Sequence, residues 1–165
     1  MKTFILIDMD EYIVVKPSDE QYINEIYKIL FRCGMNMAKQ FLFHWVKPYS
    51  KAAIMNDCET KTVVLVKDKS TGVYTSTFQM FVNDEGNLYV RKIATRPDYE
   101  GKGIGKRNMQ YMENYAKEKG CPKVCLDVYK KSPRAVGFYK KFGFVVTGET
   151  KARFFSEYVM EKKVE

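Results

Sequence analysis

No long apolar run occurs anywhere in the chain. Its N-terminus, MKTFILIDMDEY, offers four consecutive apolar residues before acids intervene, a pattern that predicts neither a signal peptide nor a membrane span. Histidine is almost missing. His44 is the only one, and a single imidazole leaves little from which to build a metal site. Cysteine is sparse too, at positions 33, 58, 121 and 125. Cys121 and Cys125 are close, but Pro122 follows at once, a strand lies between them and no histidine is near. We therefore expect reduced, partly buried thiols of a cytoplasmic protein rather than zinc ligands. Internal repeats, linkers and low-complexity tracts are absent, and no glycine loop ends in the Gly-Lys-Ser/Thr of a Walker site.

What is present points to one folded unit. The 165 residues are 45% hydrophobic and 15% aromatic, enough for a single domain over 1–165 with a sizeable core, and too apolar for disorder. A formal net charge of +8 favours anionic ligands. Nucleic acid is one such class, but no recognised nucleic-acid motif accompanies the charge, which argues against it.

The chain is organised around LYVRKIATRPDYEGKGIGK, Leu88 to Lys106. Leu88, Val90, Ile93 and Thr95 are strand formers, and Pro97 removes a donor and ends the ladder. Gly101, Gly103 and Gly105 leave the next turn bare, so its N–H groups can approach a ligand. A helical period begins at Ile104, with Gly105, Met109, Met112 and Ala116 on one face and Lys106, Glu113 and Lys117 opposite. Exposed donors at a helix N-terminus, flanked by Lys102, Lys106 and Arg107, suit a phosphate.

A second block, VCLDVYKKSPRAVGFYKKFGF, runs from Val124 to Phe144. Val124 to Val128 reads as a strand, Ser132 as an N-cap and Pro133 as the first helical residue. Ala135, Phe138, Tyr139 and Phe142 follow at helical spacing, and Gly143 stops the helix. Together the two blocks resemble the GCN5-related N-acetyltransferases, which move an acetyl group from acetyl-coenzyme A to an amine. The family's loop pattern, Gln/Arg-x-x-Gly-x-Gly/Ala, is matched from Glu100 to Gly105. Its second pattern, Asn-x-x-Ala-x-x-Phe-Tyr-x-x-x-Gly-Phe, is matched from Ser132 to Phe144. Two positions depart from it: Glu100 replaces Gln or Arg, and Ser132 replaces Asn.

Elsewhere the pattern predicts strands at Tyr12 to Lys16, with a short extra one at Phe4 to Ile7. Ser18-Asp19-Glu20-Gln21 is a capping-box pattern. The helix it opens carries an apolar stripe from Tyr22 to Cys33 and ends at Gly34. A second helix is expected from about Met37 to Pro48, and a third short one over Lys51 to Asp57. Strands follow at Thr62 to Val66 and Val73 to Val82, the latter turning at Asn83 to Gly86 into the Leu88 strand. Val145 to Glu149 and Phe154 to Lys162 close the chain as antiparallel strands. This order resembles the same family's α/β (α+β) fold, a mixed, largely antiparallel central sheet flanked by helices.

Acetyl transfer needs a neutral amine, a donor for the developing oxyanion and a proton for the departing thiolate. The resemblance implies that Ile93, Ala94 and Thr95 bond the pantetheine arm of acetyl-CoA through their backbone. Gly101, Lys102, Gly103, Ile104, Gly105 and Lys106 would hold the pyrophosphate, with Ser132 near the arm. It implies Tyr139 as the acid that protonates the thiolate, against the alternative of a core tyrosine. Relatives often carry a base where this chain has Lys92; others use an acid at the position of Asp127, which leaves Asp127 or a water chain as the base. The acceptor, a small-molecule or protein amine, would meet a region holding Met35, Asn36, Met37, Phe41, His44, Trp45 and Tyr49, although an aromatic and Met stripe at helical spacing is more often core than pocket. Its residue types single out no acceptor. A monomer or a homodimer is expected. Rival readings are a non-catalytic acyl-CoA-binding regulatory domain and a transferase of another acyl group or to another acceptor.

Overall fold

The computed structural model describes residues 9–151 and 154–165; the strand expected at Phe4 to Ile7 lies outside them. One seven-stranded sheet runs in the order β1 (Asp10–Val14), β2 (Thr62–Asp68), β3 (Tyr74–Val82), β4 (Leu88–Thr95), β5 (Lys123–Tyr129), β7 (Ser156–Lys163), β6 (Val145–Lys151). Every neighbouring pair is antiparallel except β4 and β5. Among the described residues no helix is long and apolar enough to cross a membrane.

Helices cover both faces, which is why Val63, Val64, Leu65 and Val66 are all fully buried and the β2 sequence does not alternate. Val63 and Leu65 pack with Ile23, Ile26, Leu30 and Ile54 of α1 (Glu20–Lys39) and α2 (Lys51–Thr60). Val64 and Val66 join Phe78, Met80, Met109, Met112 and Met160 on the other face, under α3 (Ile104–Glu118) and α4 (Pro133–Lys141). Side chains of Asp and Asn fix two of the sheet's turns. The Asp68 carboxylate accepts from Ser70 N at 2.8 Å, and Asn83 Oδ1 accepts from Glu85 N and Asn87 N.

Four expectations need correction. The capping box does not form: Asp19 precedes the helix without a side-chain cap and instead accepts from Lys16 N at 2.9 Å. Gly34 does not end α1, which runs on to Lys39. A Cβ at Gly34 would lie 2.4 Å from the Trp45 carbonyl oxygen, so this glycine admits a neighbouring backbone rather than stopping a helix. The helix expected from Met37 to Pro48 is absent, and the chain turns irregularly after Lys39 until Ser50 caps α2 by accepting from Ala53 N at 3.1 Å. Glu113 does not face solvent. It is buried and meets Lys162 Nζ of β7 at 2.6 Å, a pairing invisible to helical periodicity because the partner lies 49 residues away.

Candidate active site

The parallel pair β4 and β5 holds together over only three residue pairs, Leu88 to Val90 against Val124 to Leu126. Beyond Val90 the two strands part. Gln79 pairs with Arg91 but Thr77 pairs with Ala94, so Lys92 and Ile93 together oppose Phe78, which is a β-bulge. Lys92 sits there at φ 51°, in the left-handed region that L side chains avoid, at a cost of about 1–2 kcal/mol. The bulge turns β4 away from β5 and opens a cavity of about 600 Å³ at the splayed ends.

Ile93, Asp127, Ser132 and Tyr139 all line this cavity. The other proposed arm-binding residues do not. Ala94 pairs with Thr77 and buries its methyl against the α1 side of the core. The Thr95 carbonyl is turned away from β3 and accepts from Cys33 Sγ at 3.0 Å. Burial, and then the charge of Glu100, push the Cys33 thiol up to about 12, so it keeps the proton it donates. Ser132 precedes α4 without capping it through its side chain, and it lines the cavity.

The glycine loop stands just outside the cavity wall. Gly101 and Gly103 have φ values of 75° and 80°, which aim successive N–H groups outward. A Cβ at Gly105 would meet the Phe138 ring at 3.1 Å, so this glycine lets the start of α3 close on α4. None of the N–H groups from Gly101 to Lys106 donates within the described residues; the first ladder bond of α3 is Arg107 N to Gly103 O at 3.1 Å. Arg107 is not the free cation its position suggests. Its guanidinium holds the buried Asp10 carboxylate at 2.5 Å and the Lys102 carbonyl at 3.1 Å, bracing the loop from behind. Glu100 meets Arg134 at 3.4 Å. The departure from the loop pattern is thereby partly neutralised.

Of the residues expected near an acceptor, Met37, His44 and Trp45 line the cavity and Tyr49 an adjoining recess. Phe41 and Met35 do neither: they are 83% and 46% exposed. His44 packs its ring 4.2 Å from that of Tyr129 and keeps Nδ1 buried with no hydrogen-bond partner among the described residues. Burial first, then Lys92, push its pKa down to about 4, so at neutral pH the ring is uncharged. Tyr139 owes its raised pKa, about 12, to burial.

Sequence reasoning missed Glu157. It comes from β7, opposite Tyr129 of β5, and lines the cavity beside Asp127. Burial, and second the Asp127 charge, raise its pKa above the ordinary carboxylate range. Asp127 itself accepts a short hydrogen bond from the Tyr89 hydroxyl. Nothing local in SEYVM marks Glu157, and only the β5–β7 register delivers it.

Bare N–H groups, a serine hydroxyl and an unpaired strand margin beside one cavity fit a ligand with a diphosphate and an amide-bearing arm. Known proteins share this fold. A thialysine N-epsilon-acetyltransferase of Bos taurus is 35% identical over 57 residues, which is 34% of this chain and 34% of that protein; the match thus spans about a third of that relative's length. The ribosomal-protein-S18-alanine N-acetyltransferase of Escherichia coli superposes with a TM-score of 0.75 at 16% identity, covering 95% of both chains. The PaiA N-acetyltransferase of Thermoplasma acidophilum, solved with coenzyme A, gives 0.75 at 20% identity, covering 93% of this chain and 98% of that one. The profile of the acetyltransferase (GNAT) family matches residues 23–144, three quarters of the sequence, and the chain belongs to that family.

Proposed function

We propose that this protein is an acetyl-CoA-dependent N-acetyltransferase that acts, as a single domain, on the primary amine of a small acceptor. The observation that carries this reading is the cavity between β4 and β5, where a protonated phenol, Tyr139, and a carboxylate of raised pKa, Glu157, share one wall-to-wall space. The N–H groups of Gly101 to Lys106 would hold the pyrophosphate. The margin of β4 at Ile93, with Ser132 in the same cavity, would hold the pantetheine arm. Tyr139 then gives its proton to the departing sulfur, and Glu157 takes one from the acceptor ammonium. We assign the base to Glu157 rather than Asp127, because Asp127 is engaged by Tyr89 while Glu157 makes no hydrogen bond or ion pair among the described residues. Asp127 acts on it through its charge. Names of similar proteins support amine acceptors, thialysine and a protein alanine among them.

Calorimetry with acetyl-CoA, followed by an amine panel that monitors free thiol, tests the assignment. Binding plus amine-dependent thiol release is the expected result. Binding without release on any amine would instead favour the non-catalytic acyl-CoA-binding reading.

A further inference from the structure

Two opposite charges face this cavity without meeting. The Lys92 ammonium is half-buried and, among the described residues, makes no ion pair and no hydrogen bond. It rests on the faces of Trp45 and Tyr49, 5.1 and 4.3 Å from the ring centres. Burial, and next the charge of Arg91, push its pKa down. Glu157 is likewise half-buried and has no hydrogen bond or ion pair there. The two are close enough for each to stabilise the other's charge, yet more than the 4.0 Å of an ion pair separates them.

Unlike charges that are each half-withdrawn from water ordinarily close on each other, since burying either one alone is costly. Here both are held back. Tyr49, the platform under Lys92, is fixed by donating to the buried Asp57 at 2.6 Å and accepting from Arg91 at 3.4 Å. Asp57 is itself anchored by Gln79 Nε2 at 2.9 Å. Glu157 is fixed near the start of β7 by its register with Tyr129 of β5 and Thr150 of β6, and the neighbouring Asp127 is tied to Tyr89. The cavity therefore has a cationic wall, Arg91 and Lys92, and an anionic wall, Asp127 and Glu157, with a gap that neither side chain spans.

A cavity polarised in this way is complementary to a molecule that carries both signs. We propose that the acceptor is an amino-carboxylate, with its carboxylate taken by Lys92 and its amine delivered to Glu157. The inference deepens the acetyltransferase reading and rests on it. A plain diamine would set one of its ammonium groups against Lys92, whereas an amino acid with a side-chain amine satisfies both walls.

The test compares acceptors that differ only in the carboxylate: L-lysine against cadaverine, and L-ornithine against putrescine, each with acetyl-CoA and the full chain. The expected result is a kcat/KM at least tenfold higher for the carboxylate-bearing member of a pair, carried mainly by KM. In Lys92→Met that ratio falls toward one, while Lys92→Arg retains it. Equal or higher kcat/KM for the diamines in the parent protein would overturn the inference and leave the acetyltransferase reading standing, because thiol is then still released. No release from bound acetyl-CoA with any of the four acceptors would overturn the inference, and no release across the wider amine panel would overturn the acetyltransferase reading with it. Should Lys92→Met fail to fold, the parent comparison decides alone.

Discussion

A phenol gives a proton only while it has one, and at a pKa near 12 Tyr139 has one throughout the neutral range. Tyr139→Phe keeps the ring that packs on Phe138 and Phe144 and removes only the hydroxyl. We expect kcat to fall by about 10²–10⁴-fold, the usual contribution of a general acid, with acetyl-CoA affinity and Tm little changed. Full turnover in the Phe variant, measured where chemistry limits the rate, would return Tyr139 to the core. Glu157 gives the complementary pH prediction. A base works deprotonated, so kcat/KM should rise with pH through the raised pKa of this carboxyl. Asp127 is the second cause of that rise, after burial. In Asp127→Asn the repulsion is gone, the Glu157 pKa drops, and the acidic limb of the profile should move to lower pH. A limb that stays in place would separate Glu157 from the rate.

At the scale of elements, the site depends on places where backbone comes close to something. A methyl at Gly34 would overlap the Trp45 carbonyl, and α1 and the segment bearing His44 and Trp45 would have to part. Gly34→Ala should cost about 1–3 kcal/mol and raise the acceptor KM several-fold, with acetyl-CoA binding nearly intact; unchanged acceptor kinetics would show the segment is held by other contacts. Gly103→Val acts at the other end. Its φ of 80° strains any L side chain, and the new Cβ would crowd Arg107 Nη1 at 3.1 Å. Calorimetry should show acetyl-CoA binding at least tenfold weaker, a greater loss than the fall in Tm alone implies. The same elements mark what the sequence could reveal. Strand β4, the glycine loop and α4 were legible because Pro97, the alternating glycines and Pro133 act locally. Gly34 was misread as a stop because its reason lies eleven residues on, in a carbonyl no periodicity reports. The run from Met37 to Trp45 carries a helical stripe, yet α1 ends at Lys39 and Phe41 adopts φ 61°; tertiary docking of Trp45 overrides local propensity there. Glu157 was out of reach for the same reason as the Glu113–Lys162 pair, since both are made by β7, the last strand of the chain, inserting between β5 and β6.

For the whole molecule, the splay between β4 and β5 leaves strand margin and loop donors open to a ligand, and the net charge of +8 favours one rich in phosphate. A ligand that binds only the folded chain raises its stability by mass action, about 2.7 kcal/mol at a hundred times Kd. For a chain of this size that corresponds to a Tm increase of roughly 5–10 °C. Free acetyl-CoA should produce it, and dephospho-CoA, with less charge, should produce less. Because part of the attraction is long-range, the increment at fixed ligand should shrink as salt rises from low to physiological strength. Glu100 is the built-in opponent of this field. Its partner Arg134 is 79% exposed, so the pair is a weak surface bridge and does not remove the negative charge from the loop. Glu100→Gln should therefore tighten acetyl-CoA binding at low salt, both by deleting that charge and by freeing Arg134, and the advantage should fade in high salt. If affinity at low ionic strength is the same in both proteins, the phosphates do not pass over the Glu100 to Lys106 loop, and the site must be entered from the other side of α4.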